Sequence, residues 1–284
     1  MANVKSRAVP AGKAINVAKT LKTLGDEACV VGIMHENNHK LFTEHLQRAG
    51  IQSHFIAVPG NTRINITLIE AKAAQSTHIN SAQAPVPSSV QEELLDYFAS
   101  TIQPGDLCAC CGGIPGGMGN DSHQKIIKVC KEKGAVALLD SSAKPLKMGV
   151  RAKPHMVKPN LEELEGLFDE NIQGVHHIAL KAKRLIDMGI EFVFISLGAD
   201  GMIAIHENDC LLCLAPQIRV IDTVGCGDAL VAGLLAGFGR TFSFTEMCRL
   251  AVACGASNAQ HHGPGAVSGD EIWRLMEEVS IKAV

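Results

Sequence analysis

Two carboxylates and two glycines fall within eight residues, Ile221-Asp222-Thr223-Val224-Gly225-Cys226-Gly227-Asp228, directly ahead of the apolar run Ala229–Leu235. The spacing predicts a strand ending at Asp222, a tight turn, and a helix opening near Asp228. Glycines let backbone approach a ligand closely, and the first N–H groups of a helix have no partner within it. Together with the positive end of the helix dipole they make an anion pocket. A carboxylate beside such a pocket repels a simple anion. It has a use if Asp228 takes the proton from a hydroxyl that attacks phosphorus. The plainer alternative is an Asp that closes the first turn of a helix.

Four other stretches carry chemistry. In Thr62-Arg63-Ile64-Asn65 the planar fork of Arg63 suits two phosphate oxygens at once, although an isolated strand arginine is usually just solvated. In Lys158-Pro159-Asn160-Leu161-Glu162-Glu163, Asn160 opens a helix and faces Glu163 across one turn. Mg²⁺ keeps several waters, so one carboxylate beside nucleotide phosphates is adequate for it; a simple cap is the other reading. The cluster Cys111-Gly112-Gly113-Ile114-Pro115-Gly116-Gly117 looks at first like a dinucleotide turn. Pro115 interrupts it, and no acidic strand end follows at the required distance, which argues against a nicotinamide dehydrogenase. The fourth stretch is the glycine-bearing turn Ser196-Leu197-Gly198-Ala199-Asp200-Gly201. No Walker A pattern is present.

These motifs, in this order, resemble the ribokinase-like, phosphofructokinase-B family of sugar kinases. Asp222–Asp228 is similar to its Asp-Thr-x-Gly-Ala-Gly-Asp signature, with Cys226 in place of alanine. Ala11-Gly12-Lys13-Ala14-Ile15-Asn16-Val17-Ala18 resembles Gly-Gly-Lys-Gly-Ile-Asn-Val-Ala, with Ala11 and Ala14 for glycines. Thr62–Asn65 resembles the Thr-Arg-x-Asn of the fructose-1-phosphate and tagatose-6-phosphate kinases. The resemblance implies ATP as co-substrate, Mg²⁺ as cofactor, and a sugar phosphate as acceptor, fructose 1-phosphate first and tagatose 6-phosphate next. It implies Asp228 as base with Gly225, Cys226 and Gly227 as the anion hole. Gly12, Lys13, Asn16, Arg63 and Asn65 become substrate contacts. Lys158, Asn160, Ser196, Gly198, Gly201 and Asn258 become ATP contacts, and Glu163 with Asn160 holds the metal through water. Gly113 stands where some members have a sugar-binding serine. Relatives also open with a strand bearing Asn-Pro-Ala-x-Asp, which has no counterpart before Gly12. That strand normally lies inside the sheet, so a gap or exposed edge is expected. A shortened reading of a longer protein and a catalytically impaired binder of sugar phosphate or nucleotide both remain open on this point.

The chain has 284 residues, enough for one large α/β domain over 1–284. A net charge of −3 makes no case for nucleic acid or an anionic membrane surface. No apolar run is long enough to span a bilayer and the start lacks a signal-peptide pattern, so a cytoplasmic location is expected. Ten cysteines include two Cys-x-x-Cys spacings, Cys108–Cys111 within the apolar run Leu107–Cys111 and Cys210–Cys213 within another; buried, reduced thiols are the better reading than zinc or disulfides. Twelve histidines are scattered, and neither His176-His177 nor His261-His262 has convincing metal-ligand spacing.

Alternating apolar strands and helical periods from Cys29 to Gly239 predict a three-layer sandwich, a mostly parallel sheet with helices on both faces. The extended segments at about 1–10 and 52–80 are the expected small β lid, which would keep water from the site. Relatives often dimerise through such strands, so a homodimer is a candidate state.

Overall fold

The computed structural model describes residues 8–70, 75–82 and 84–284. The strand expected over Met1–Pro10 lies largely outside these, and Ala8–Pro10 form no regular element.

The first helix, α1 (Lys13–Thr23), buries Ile15, Val17 and Ala18. Strand β1 (Cys29–His35), helix α2 (His39–Arg48) and strand β2 (Gln52–Val58) follow, and β2 pairs with β1 in parallel, Cys29 opposite Gln52. This corrects part of the expected lid. Ile56 and Val58 of β2 are buried in the main core, because their alternation faces the helices rather than solvent. The rest of that segment carries the antiparallel pair β3 (Ile66–Glu70) and β4 (Gln75–Ile79), a two-stranded sheet apart from both others.

After α3 (Ser89–Thr101) the chain alternates regularly. It runs through β5 (Leu107–Cys111), α4 (Ser122–Glu132), β6 (Val136–Asp140), α5 (Ala143–Gly149), β7 (Met156–Val157), α6 (Leu161–Phe168), α7 (Val175–Asp187) and β8 (Phe192–Ser196). The antiparallel hairpin β9 (Met202–His206) and β10 (Asp209–Leu214) precedes three helices, α8 (Cys226–Gly239), α9 (Phe244–Ala259) and α10 (Gly269–Glu278). A last strand, β11 (Ser280–Ala283), pairs with β10; its shortness hides it in the sequence.

The main sheet has seven strands in the order β11-β10-β9-β8-β7-β6-β5, parallel from β5 to β8. Successive residues of its middle strands serve opposite cores. Leu138, Met156, Phe192 and Phe194 join the core under α1, α8, α9 and α10. Leu139, Val157, Val193 and Ile195 join the one under α3 to α7. A sheet covered on both faces demands such unbroken apolar strands. Helix α8 is buried from Asp228 through Gly237, the signature of a central helix rather than a surface one.

The run before Asp222 is not a strand. Ile221 and Val220 are exposed, and the N–H groups of Ile221 and Asp222 both donate to the Ala259 carbonyl at the end of α9. Apolar residues occur here because Ile218 and Val220 wall a cavity, not because they pack in a sheet. Between β1 and β5 the sheets are separated by a slot of about 620 Å³.

Candidate active site

Strands β5, β6 and β8 end on the same side as the N-terminus of α8, the place where open α/β sheets bind ligands. A second cavity, of about 640 Å³, opens there. Its wall includes Lys13, Asp140, Lys158, Asn160, Glu163, Ser196, Gly198, Gly201, and Gly225 through Asp228.

Gly225 caps α8 with φ of 89°, and a Cβ there would lie 2.8 Å from Pro264 Cα. Both facts require glycine, which is why the turn can press against the Pro264 loop. Asp222 holds this turn from below: Oδ1 accepts from Val224 N at 3.0 Å and Oδ2 from Gly263 N at 3.1 Å. Asn258 holds it from behind. Its Nδ2 donates to Val224 O at 2.9 Å, and its Oδ1 accepts from Gly265 N at 2.8 Å. Asn258, an expected ATP contact, is fully buried and is not part of the cavity wall. Its amide is spent on the anion loop; Gly255, Ala256 and Ala259 of the same helix provide the apolar wall instead. Burial pushes the Cys226 thiol up to about 11, so it stays neutral and acts as a small residue.

Asp228 is 7% exposed, and its Oδ2 accepts from Asn16 Nδ2 at 2.7 Å. Burial pushes its carboxyl up to about 6, held back by the Asn16 hydrogen bond and the charge of Lys13. Opposite it, Asp140 gathers two lysines: Oδ2 accepts from Lys13 Nζ at 2.9 Å, and Lys158 Nζ lies 3.1 Å from Oδ1. Burial pulls the Lys13 ammonium down, but Asp140 more than offsets it, so Lys13 stays charged. Asp140 was not singled out in the sequence. The signal was its position, an acidic residue ending the buried strand Val136–Asp140 beside the site.

Asn160 and Glu163 form a reciprocal cap. Asn160 Oδ1 accepts from Glu163 N at 2.7 Å, and Glu163 Oε2 accepts from Asn160 N at 2.8 Å. Burial raises the Glu163 carboxyl above its ordinary value. The cap and a metal role are compatible, because one Glu163 oxygen remains and both residues face the cavity. Among the described residues no three His, Cys, Asp or Glu side chains cluster as a metal cage. Ser196 ends β8, and Gly201 has φ of 96°, where a Cβ would lie 2.0 Å from Cys213 O. The turn therefore presses against the end of β10, and Ser196, Gly198 and Gly201 line the cavity.

Three expected substrate contacts are elsewhere. Gly12 caps α1 with its carbonyl bonded to Asn16 N, and it does not line the cavity. Arg63 and Asn65 are exposed on the segment before β3, away from the cavity wall. Asn65 Oδ1 instead accepts from Ser81 N at 3.2 Å, closing the base of the β3–β4 pair.

Residues 3–270 match the pattern of the pfkB family carbohydrate kinases. The chain belongs to that family. It is 33% identical over 276 residues to the 1-phosphofructokinase of Haemophilus influenzae, covering 97% of this chain and 88% of that one. The Vibrio cholerae 1-phosphofructokinase is 32% identical over 274 residues, covering 96% and 86%. The phosphofructokinase-2 structure from Escherichia coli in complex with potassium superposes with a TM-score of 0.90 at 21% identity, covering 95% and 87%, and shows the shared fold. As a pfkB kinase the chain is an ATP-dependent carbohydrate kinase. The stretches Lys158–Glu163, Ser196–Gly201 and Gly225–Asp228 meet at the cavity, and Thr62–Asn65 lies outside it. Among the described residues no helix is long and apolar enough to cross a membrane.

Proposed function

We propose that this kinase transfers the terminal phosphoryl group of ATP to a hydroxyl of fructose 1-phosphate, giving fructose 1,6-bisphosphate. The observation that carries the reading is Asp228, a buried carboxylate bound by Asn16 at the first turn of α8, facing two lysines across one cavity.

The N–H groups at Gly225–Asp228 receive the travelling phosphoryl, where no reorganisation is needed at the moment of reaction. Asp228 accepts the proton of the attacking hydroxyl. Its raised affinity for a proton suits a loose transition state, in which proton transfer comes late. Lys13 and Lys158, parked on Asp140, are within the same cavity to neutralise phosphate charge. Ser196, Gly198 and Gly201 offer a wall to the nucleotide. Asn160 and Glu163 are the residues that would hold Mg²⁺ through water, and the ion would supply charge neutralisation on the nucleotide phosphates. Arg63 reaches the phosphate already on the sugar when the β3–β4 lid closes. The lid exposes Ile64, Ile66, Leu68 and Ile79 on a two-stranded sheet, and a second copy of the chain covers this face in a homodimer.

A non-catalytic, ligand-sensing reading draws on the exposed position of Arg63 and on the split sheet. Tagatose 6-phosphate is the competing acceptor. ADP release measured with fructose 1-phosphate, tagatose 6-phosphate and fructose 6-phosphate separates these. Turnover highest on fructose 1-phosphate is expected; binding of ATP without ADP release on any acceptor would replace the enzyme with the sensor.

A further inference from the structure

We propose that Lys19 is a positioning residue for phosphoryl transfer: its ammonium holds the loop Gly263–Gly265 against Gly225 and so fixes the turn that opens α8. The half-buried side chain leaves α1, and its Nζ donates to Pro264 O at 2.6 Å, across 245 positions of the chain. A charged donor makes such a bond stronger than an ordinary amide bond to a carbonyl.

The loop it grips is a wedge between two parts of the site. On one side, a Cβ at Gly225 would lie 2.8 Å from both Cα and Cβ of Pro264 and 3.1 Å from Gly265 N. On the other, Gly265 has φ of 67°, and a Cβ there would lie 3.0 Å from Asn16 O and 3.1 Å from Asn16 Cα. It would also lie 3.3 Å from Lys19 Cβ. Both contacts have room for backbone alone. Close-packed interiors transmit strain, so a small shift of Pro264 is felt at Gly225 and at Asn16.

The loop's neighbouring ties come from other elements. Asp222 accepts from Gly263 N, and Asn258 of α9 accepts from Gly265 N. Pro264, between them, has no N–H to give, and its carbonyl is the group left for a grip. Lys19 takes it from α1. Three positions earlier on the same helix face, Asn16 holds the Asp228 carboxylate at 2.7 Å. One face of α1 thus places the carboxylate and backs the turn beside it.

Fixed N–H groups stabilise developing charge because they need not reorganise when it appears. Lys19 is not part of the cavity wall, so it acts on those groups through Pro264 and touches no substrate. That consequence rests on the kinase reading; the clamp itself does not.

Lys19→Met and Lys19→Arg test it. Lys19→Met should lower kcat about 10–100-fold with KM for fructose 1-phosphate near the wild-type value, as a small misplacement of reacting groups does. Lys19→Arg, which keeps a charged donor, should recover kcat to within about threefold of wild type. Amide exchange in Lys19→Met should quicken at residues 224–228 and 263–265. The acid limb of kcat/KM should stay in place, because Asn16 still holds Asp228. If Lys19→Met does not fold, Lys19→Gln takes its place, since its amide nitrogen stops one bond short of the ammonium. Full kcat in the variant, unchanged exchange at 224–228, or an arginine form as slow as the methionine form would overturn the proposal. So would a shifted acid limb, which would put Lys19 on the base instead. Exchange needs no turnover, so loss of the clamp is distinct from failure of the ADP-release assay.

Discussion

Asn16 and Asp228 are 212 positions apart in the chain, and their side chains meet at 2.7 Å, tying the start of α1 to the first turn of α8. The bond favours the ionised carboxylate, against the burial that pushes Asp228 up to about 6. Activity limited by the base should therefore fall on the acid side of about pH 6, read from kcat/KM, which reports the free enzyme. Asn16→Ala removes a bond that lowers the carboxyl, so its acid limb should move upward by about one to two pH units, given about 1.5–3 kcal/mol for a hydrogen bond to a charged group. A limb that stays in place, or moves downward, would show that Asn16 does not tune this group.

Asp228→Asn should separate turnover from stability. Losing the base should cost about 10²–10⁴-fold in kcat with ATP affinity nearly unchanged. Stability should move the other way. A carboxyl whose folded value is raised binds its proton more tightly when folded; its contribution is present below the unfolded value and lost as pH climbs through about 6. At pH 8 the wild type carries that cost, so Asp228→Asn should be more stable there by about 1–3 kcal/mol. The gap should close by about pH 4. Urea melts at both pH values check it; a variant less stable at pH 8 contradicts the burial argument.

The sequence exposed the parallel sandwich because buried strands such as Val136–Asp140 and Phe192–Ser196 are unbroken apolar runs between helical periods. It exposed Asp228 because glycines and a carboxylate at a helix start are a local pattern. Local patterns failed where the deciding partner was distant. The run ending at Ile221 looked like a strand, yet its backbone is bonded to Ala259. The resemblance alone made Asn258 an ATP contact, and its helix gave no sign that Val224 and Gly265 hold its amide. Asp140 carried no motif at all, since Lys13 lies 127 positions away.

Asn258→Ala should act on the loop rather than on nucleotide contacts. It strands Val224 O and Gly265 N in a buried place, at about 1–3 kcal/mol for each group left without a partner. A melting temperature lower by several degrees is expected, together with a fall in kcat that Asn258→Asp should share, since it keeps the acceptor for Gly265 N but loses the donor to Val224 O. Unchanged kcat with a raised KM for ATP alone would return Asn258 to the nucleotide site.

Arg63→Ala tests the lid. Arg63 is exposed and has no ion-pair partner among the described residues, so the substitution should leave the unfolding free energy within about 0.5 kcal/mol of wild type. Anchoring of the sugar's phosphate by Arg63 predicts a KM for fructose 1-phosphate raised about tenfold or more, with KM for ATP unchanged. Equal KM values for both substrates would leave the existing phosphate to Lys13.

The apolar lid face gives the last test. Ile66 pairs across the sheet with Ile79, and Ile64 and Leu68 continue the same alternation, all four about half exposed or more. Two strands alone are marginal in water, and burying such a face against its own copy is the economical way to keep them ordered. Ile66→Lys puts a charge at the centre of that contact, where it would be buried without a partner. Sedimentation should show wild type as a dimer and Ile66→Lys as a monomer with the fold intact. Because the lid also carries Arg63, the monomer should bind fructose 1-phosphate more weakly while ATP binding is retained. A wild type that sediments as a monomer at about 100 μM would remove the dimer, and Arg63 would then have to close on the sugar from an unsupported strand pair.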